Sequence, residues 1–111
     1  MQAERANGGS TGFTLNTLAS ELWDQGKFKE AEPLFREALE ERRATLGDRH
    51  PNTLTSINNL GRLLHAKGDL DAAEPLYREA LGVRRATLGN RHPDTLTAIN
   101  NLGALLHAKG D

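Results

Sequence analysis

The chain has 111 residues, which is about the length of one domain and argues against a separate substrate-binding domain. Its 14 Lys and Arg residues nearly balance its 15 Asp and Glu residues. This balance argues against a duplex nucleic-acid binder that relies on phosphate neutralisation, and equally against a polybasic membrane anchor. The sequence has no cysteine, which excludes disulfides, thiolate nucleophiles and cysteine-based zinc sites.

Signals for membrane insertion or secretion are also absent from the sequence. No apolar run approaches the roughly 18 residues that are needed to span a bilayer. The amino terminus lacks the basic start and the apolar stretch of a signal peptide, which predicts a cytoplasmic protein without a membrane partner.

The first residues of the chain, MQAERANGGSTG, are polar and rich in glycine. They carry too little apolar surface to offset the entropy that is lost when a chain becomes ordered. Residues 1–11 are therefore predicted to form a flexible lead-in.

From about residue 12 onward the sequence repeats with a period of 42 residues. HPNTLTSINNLGRLLHAKGD at 50–69 returns as HPDTLTAINNLGALLHAKGD at 92–111, and the segment at 31–49 returns in the same way at 73–91. A fixed period of this size is typical of a stacked array rather than a closed globule. The predicted units are residues 12–49, 50–91 and a half unit at 92–111.

The first half of each unit predicts a helix, here called helix A. In the second unit Ile57, Leu60, Gly61 and Leu64 follow the i, i+3, i+4, i+7 spacing of one buried helical face. A proline near the start and a glycine just past the end indicate that this helix covers about 51–67.

The second half of each unit predicts helix B. In the second unit it begins near Asp69, a suitable N-cap, and ends around Leu88. Pro75 lies several residues inside this helix, as Pro33 does in the first unit, which predicts a local kink near the start of each B helix. No β-branched residues alternate over a useful length, so strands are not expected.

The repeating unit resembles a tetratricopeptide repeat, in the 42-residue form found in kinesin light chains and in many bacterial repeat proteins. The residues that carry the resemblance are Ile57, Leu60, Gly61 and Leu64 on helix A, Ala73, Tyr77 and Ala80 on helix B, and Ala31, Phe35 and Ala38 in the first unit. The small residues let the helices approach closely, and the aromatic ring fills the space between them. NNLG, KGDLDAAEPLYREAL and LGNRHPDT resemble the light-chain type in particular.

The resemblance covers about residues 12–111 and implies an all-α fold. That fold is a right-handed α-solenoid of antiparallel helix pairs, with five helices in the order A1-B1-A2-B2-A3. The first unit is the least regular, with GGSTGF where the second has HPNTLT. The third unit consists of helix A alone, which indicates a fragment of a longer array.

The family also implies a function, since most such arrays are scaffolds that hold a partner's extended or helical segment in a concave groove lined by the A helices. The residues predicted to line this groove are Asn16 and Trp23 on A1, Thr55, Asn58, Asn59, Arg62 and His65 on A2, and Asn100 and Asn101 on A3. Asparagine both donates and accepts, so a row of Asn side chains can pair with a peptide backbone. Arg62 could hold a carboxylate by two hydrogen bonds, which predicts a preference for acidic partners, and Trp23 could offer a flat apolar contact.

Other interpretations of these residues remain open. The asparagines could instead cap or bridge neighbouring helices, above all Asn58, which lies at the edge of the buried stripe. The charge-rich runs FREALEERR and YREALGVRR are interpreted as a solvated convex face. The four histidines include no His-x-x-x-His pair on one helix face, so no metal site is predicted. Cofactors and catalytic activity are not predicted either.

A second hypothesis concerns self-association through A3. Without a following B helix, A3 is expected to present an uncovered apolar stripe of Ile99, Leu102, Gly103 and Leu106. Each large side chain left exposed forgoes roughly 1.5–3 kcal/mol of burial. Packing against a second copy, or exchanging helices with it, would cover the stripe and give an oligomer with no other ligand.

Overall fold

A computed structural model describes residues 9–110 of the protein, with only the backbone described at residues 9–13. This part of the chain contains five α-helices and no β-strand. The helices are α1 (Gly9–Asp24), α2 (Phe28–Leu46), α3 (Pro51–Lys67), α4 (Leu70–Leu88) and α5 (Pro93–Ala108). They correspond in order to the predicted A1, B1, A2, B2 and A3.

The start of α1 differs from the sequence prediction. The helix begins at Gly9, so residues 9–11 of the predicted lead-in belong to the helix, and residues 1–8 lie outside the described residues. The predicted bounds of α3 and α4 agree with the structure to within one residue.

The described helices form a thin stack. Each helix packs chiefly against the helix before it and the helix after it in the chain. The molecule measures 46 × 32 × 19 Å, and its shortest dimension is about two helix diameters. Short connections between neighbouring helices make them antiparallel, so the predicted all-α solenoid is confirmed, while its right-handed twist stays a prediction.

The ends of the helices have clear local causes. At the start of α3 the ring atom Nδ1 of His50 accepts a hydrogen bond of 3.0 Å from the backbone N–H of Asn52, and His92 caps α5 in the same way. Gly68 ends α3 in the left-handed conformation, with φ of +88°, and such a conformation favours glycine. Asp69 occupies the N-cap position of α4, but its side chain makes no capping hydrogen bond.

The two internal prolines do not interrupt their helices. α2 runs through Pro33 and α4 runs through Pro75 as continuous α-helix. The local kink predicted at these positions stays a prediction.

The core lies between the two layers of helices, where small residues meet aromatic rings. Phe35 on α2 is 1% exposed and Tyr77 on α4 is 2% exposed. A Cβ atom added to Gly61 on α3 would lie only 2.9 Å from Cε1 of Tyr77, so glycine is what allows this ring to approach the helix. The predicted packing of a small residue on A against an aromatic ring on B is present here.

Charged side chains join one repeat to the next. Lys67, at the end of α3, pairs with Glu32 on α2, and Lys109, after α5, pairs with Glu74 on α4. These two pairs are equivalent by the 42-residue period. The contacts between repeats are thus copied along the array together with the sequence.

Arg42 corrects the interpretation of the charge-rich run at the end of α2. Its side chain is 6% exposed and points into the space between α2 and α3, where Nη1 donates to the backbone oxygen of Asn52 at 3.0 Å. The prediction of a uniformly solvated face was wrong at this position because the last turns of α2 are covered by the next A helix.

Candidate functional site

One face of the described structure, built mainly by α1, α3 and α5, contains two cavities. The first cavity has a volume of about 340 Å³ and is lined by Asn16, Thr17, Ser20, Glu21, Asp24, Arg42, Thr55 and Asn59. The second cavity has a volume of about 300 Å³ and is lined by Trp23, Arg62, His65, Ala66, Tyr77, Asn101 and Ala104. We call the surface formed by these two sets of residues the inner face. Most of the residues predicted to line a groove belong to it.

The floor of the first cavity is a buried polar cluster. Asn16 is 8% exposed, and its Nδ2 donates to Oγ of Ser56 at 3.0 Å. Arg42 donates to the same oxygen at 3.3 Å, and burial lowers the pKa of its guanidinium. The Oδ1 atom of Asn16 has no hydrogen-bond partner among the described residues. Asn16 was predicted as a groove residue, but most of its side chain is packed between α1 and α3.

The second cavity is bounded by aromatic and cationic groups. The guanidinium of Arg62 lies over the ring of Trp23, with 5.2 Å between its carbon and the ring centroid, which is a cation–π distance. Trp23 in turn meets Phe28 and Phe35 edge to face, at centroid distances of 6.2 and 6.0 Å. The Trp23 ring is therefore fixed by its packing against Phe28 and Phe35. Its contact with the guanidinium places Arg62 at the wall of the cavity.

Some of the remaining predicted groove residues hydrogen-bond to other residues of the protein, and others do not. Nδ2 of Asn101 on α5 donates to Oδ1 of Asn58 on α3 at 2.8 Å, so Asn58 bridges neighbouring A helices as the alternative interpretation had it. Asn59 is half-buried in the wall of the first cavity and makes no hydrogen bond to another described residue. Asn100 is exposed and lies outside both cavities, and Thr55 donates to the backbone oxygen of Pro51 in its own helix.

Tyr77 lines the second cavity but was assigned only a packing role from the sequence. Its ring makes an edge contact with His65 at a centroid distance of 6.3 Å. The signal that could have identified it is the exchange of Phe35 for Tyr77 between the two repeats, since a hydroxyl is added at an otherwise apolar position.

The surface predicted for self-association is less uniform than its sequence suggests. Leu102 is 8% exposed and packs in the core against α4, so it does not belong to an uncovered stripe. Ile99 and Leu106 are half-buried and Gly103 is exposed. Their equivalents on α3 are fully buried, because α4 covers them.

Two further cavities lie at the ends of the helices and share only Ala66 and Thr55 with the inner face. The larger, of about 520 Å³, lies beside the α1–α2 connection, and a cavity of about 300 Å³ lies where α3 and α5 begin. Lys67, which lines the larger one, is already paired with Glu32. Neither contains a predicted site residue other than Thr55.

Two further findings concern metals and membranes. Within residues 9–110 no three His, Asp or Glu side chains come together as a metal site would require. None of the helices found there combines the length and the apolar character that crossing a bilayer demands.

Comparison with known proteins identifies the repeat. The family model described as tetratricopeptide repeat matches residues 10–86 and, in a second register, residues 58–111. Among curated proteins no significant match was found.

Solved structures show the same architecture. The chain is similar to BtubC (BKLC) from P. vanneervenii, with 31% sequence identity and a TM-score of 0.86 over 98% of this chain and 44% of that one. It is also similar to the nearly identical TPR-like repeats of a putative kinesin light chain from Podosopora anserina, with 27% identity and a TM-score of 0.80 over 87% of this chain and 46% of that one. The chain thus spans less than half of the length of either relative.

Proteins built from these repeats generally mediate protein–protein interactions, and they are typically scaffolds rather than enzymes. The family model, the 42-residue period and the solenoid agree with one another. The chain belongs to the tetratricopeptide repeat family, and it is of the kinesin-light-chain-like type.

Proposed function

We propose that the inner face binds a peptide segment of a partner protein. The observation that carries the proposal is that Asn59 and Arg62, one turn apart on α3, each line a cavity and make no hydrogen bond to another described residue. Polar groups at such positions are available to a ligand, whereas those of Asn58 and Asn101 already bond to each other.

The two free side chains suit different parts of a peptide. The amide of Asn59 both donates and accepts, so it can pair with a backbone N–H and C=O whatever the sequence. The guanidinium of Arg62 can give two parallel hydrogen bonds to a carboxylate, and the Trp23 ring beneath it limits the number of positions it adopts. We therefore propose a preference for acidic segments.

The experiment is a peptide-array screen followed by fluorescence anisotropy on the strongest binder. Arg62→Glu should weaken binding by at least tenfold, because it replaces an attraction for carboxylates by a repulsion, and Asn59→Ala should weaken it about fivefold. Arg85→Glu is the charge-matched control, since Arg85 is exposed and does not line either cavity. Equal binding by all three variants would rule out the inner face as the peptide site.

A second candidate function is self-association through α5. Its support is the contrast between Gly61, which Tyr77 covers, and Gly103, which has nothing within 4 Å of an added Cβ. With Ile99 and Leu106 half-buried beside it, this surface can accept a helix from a second copy. Light scattering on a sizing column tests this hypothesis. A molar mass that rises with protein concentration, and that is lowered by Leu106→Lys, supports self-association. A monomer at every concentration rejects it.

A further inference from the structure

The cavity of about 520 Å³ lies at the edge of the stack, beside the α1–α2 connection. Its wall is formed by residues 26–30 together with Ala66 and Lys67 at the end of α3. Most of this wall is apolar, and it includes the half-buried ring of Phe28, which meets Trp23 edge to face at a centroid distance of 6.2 Å. A cavity of this volume and character has room for the apolar body of a small molecule.

Three lysines contribute to this wall, and two of them have no partner in the described part of the chain. Lys67 pairs with Glu32, whereas no ion pair or hydrogen bond there involves the ammonium groups of Lys27 and Lys29. Glu30 is the one acidic residue among those that form the wall. The cavity thus combines an apolar wall with an excess of positive charge, and a negatively charged group would offset the repulsion between the lysines.

The second repeat has the opposite charge at the equivalent positions. Asp71 stands where the first repeat has Lys29, and it contacts Lys109 at 3.1 Å. Lys109 is the equivalent of Lys67, so the second repeat neutralises a lysine at the point where the first repeat adds another one. Lys27 is likewise replaced by an aspartate in the second repeat. The excess of positive charge is therefore particular to the first repeat and is not required by the repeating unit.

We propose that this cavity binds a small hydrophobic anion. The apolar body of the ligand lies against Phe28 and the methylene groups of the lysines, and its negative group pairs with the ammonium groups of Lys27 and Lys29. The cavity shares only Ala66 with the inner face, so the anion and a peptide on the inner face occupy different places.

The test uses three probes that separate charge from apolar area: naphthalene-2-sulfonate, its uncharged sulfonamide, and methanesulfonate. Each is titrated into the full chain and followed by amide NMR shifts. Naphthalene-2-sulfonate should bind with a Kd of roughly 0.1–1 mM and shift the amides of residues 26–30. The sulfonamide should bind about tenfold more weakly because it lacks the charge, and methanesulfonate should not saturate because it lacks the apolar body.

Lys29→Asp introduces the residue type that the second repeat already has at this position. It should weaken naphthalene-2-sulfonate at least tenfold and leave the sulfonamide unchanged, because an attraction is replaced by a repulsion. Without any probe it should raise the midpoint of thermal unfolding, because Lys67 gains the kind of partner that Lys109 has. Lys29→Gln should have an intermediate effect on sulfonate binding. Arg85→Asp is the charge-matched control, since Arg85 is exposed and lies outside the cavity, and it should bind as the native chain does.

Several results would overturn the proposal. They are equal affinity for the sulfonate and the sulfonamide, or unchanged sulfonate binding in both Lys29 variants. Amide shifts centred on Arg62 and His65 would place the sulfonate on the inner face instead and would also reject this site. A lower thermal midpoint in Lys29→Asp would contradict the repulsion between lysines on which the site rests.

Discussion

Arg43 on α2 holds Glu79 on α4 through two parallel hydrogen bonds of 2.7 and 3.0 Å. The pair joins the B helices of neighbouring repeats, and Asp48 adds a third contact to the same guanidinium at 2.8 Å. The hydrogen bonds that Arg43 donates to Glu79 raise the pKa of Arg43 against the opposing effect of burial, and the bond that it donates to Asp48 adds to the rise. The two B helices, which are not successive in the chain, are therefore linked by a contact with fixed geometry.

The first prediction concerns this link. Arg43→Gln should lower the free energy of unfolding by about 0.5–1 kcal/mol, because a bidentate pair at a partly exposed site is lost. Arg85→Gln is the control at the equivalent position, where the described residues offer no such partner. Urea unfolding followed by circular dichroism measures both, and equal losses would show that the pair contributes nothing.

The second prediction compares two glycines that are equivalent by sequence. Gly61→Ala should lower the free energy of unfolding by about 1 kcal/mol or more, because the new Cβ would lie 2.9 Å from Cε1 of the buried Tyr77 ring, which would have to shift from its packed position. Gly103→Ala should raise it by about 0.5–1 kcal/mol, since no atom lies within 4 Å and alanine favours the helix. Opposite shifts of the thermal midpoint are expected, and shifts of the same sign would contradict this packing.

The third prediction is a pH dependence. The hydrogen bond from Lys67, supported by Arg36, lowers the pKa of Glu32 from its usual 4.5, despite the opposing effect of burial. A carboxyl whose pKa is lowered by folding stabilises the protein above its unfolded pKa, and that stability is lost as the pH falls through the folded pKa. As the pH is lowered below about 4.5, the midpoint temperature of unfolding should thus decrease in the native chain, and it should decrease less in Glu32→Gln. Calorimetry from about pH 7 to about pH 3 measures the difference, and parallel curves would contradict it.

The fourth prediction concerns the start of α3. His50→Ala should lower the free energy of unfolding by about 1 kcal/mol, because the N–H of Asn52 loses the acceptor at Nδ1. His50→Asn should restore most of it, since asparagine is a preferred N-cap. If chemical denaturation gives the same midpoint for both variants, the histidine ring is not acting as a cap.

The sequence predicted the helices well for a physical reason. The apolar period, the prolines near the starts and the glycines after the ends are all local signals, so the bounds of α3 and α4 followed directly. The sequence did not predict where α1 begins, because the segment GGST carries no such signal, and the helix begins at Gly9, within the predicted lead-in.

The site was predicted less completely, because its details depend on contacts between distant residues. Asn16 lies on the predicted face of its helix, but its amide bonds to Ser56, 40 residues away, and so most of it is buried. Arg42 appeared to belong to a solvated charge run, and only the packing of α3 over α2 shows otherwise. The Asn58–Asn101 pair likewise requires knowledge of which helices are neighbours.

Packing that is limited mainly to successive helices also has a mechanical consequence. Because most contacts join successive helices, a small rotation of one helix against the next is not opposed by a common central core. Such rotations therefore accumulate along the stack and change its curvature. The two cavities of the inner face lie across such pairs, so a slight change in curvature alters the distance between them. A bound segment would in this way set the pitch of the molecule, and segments of somewhat different length could be accommodated on one surface.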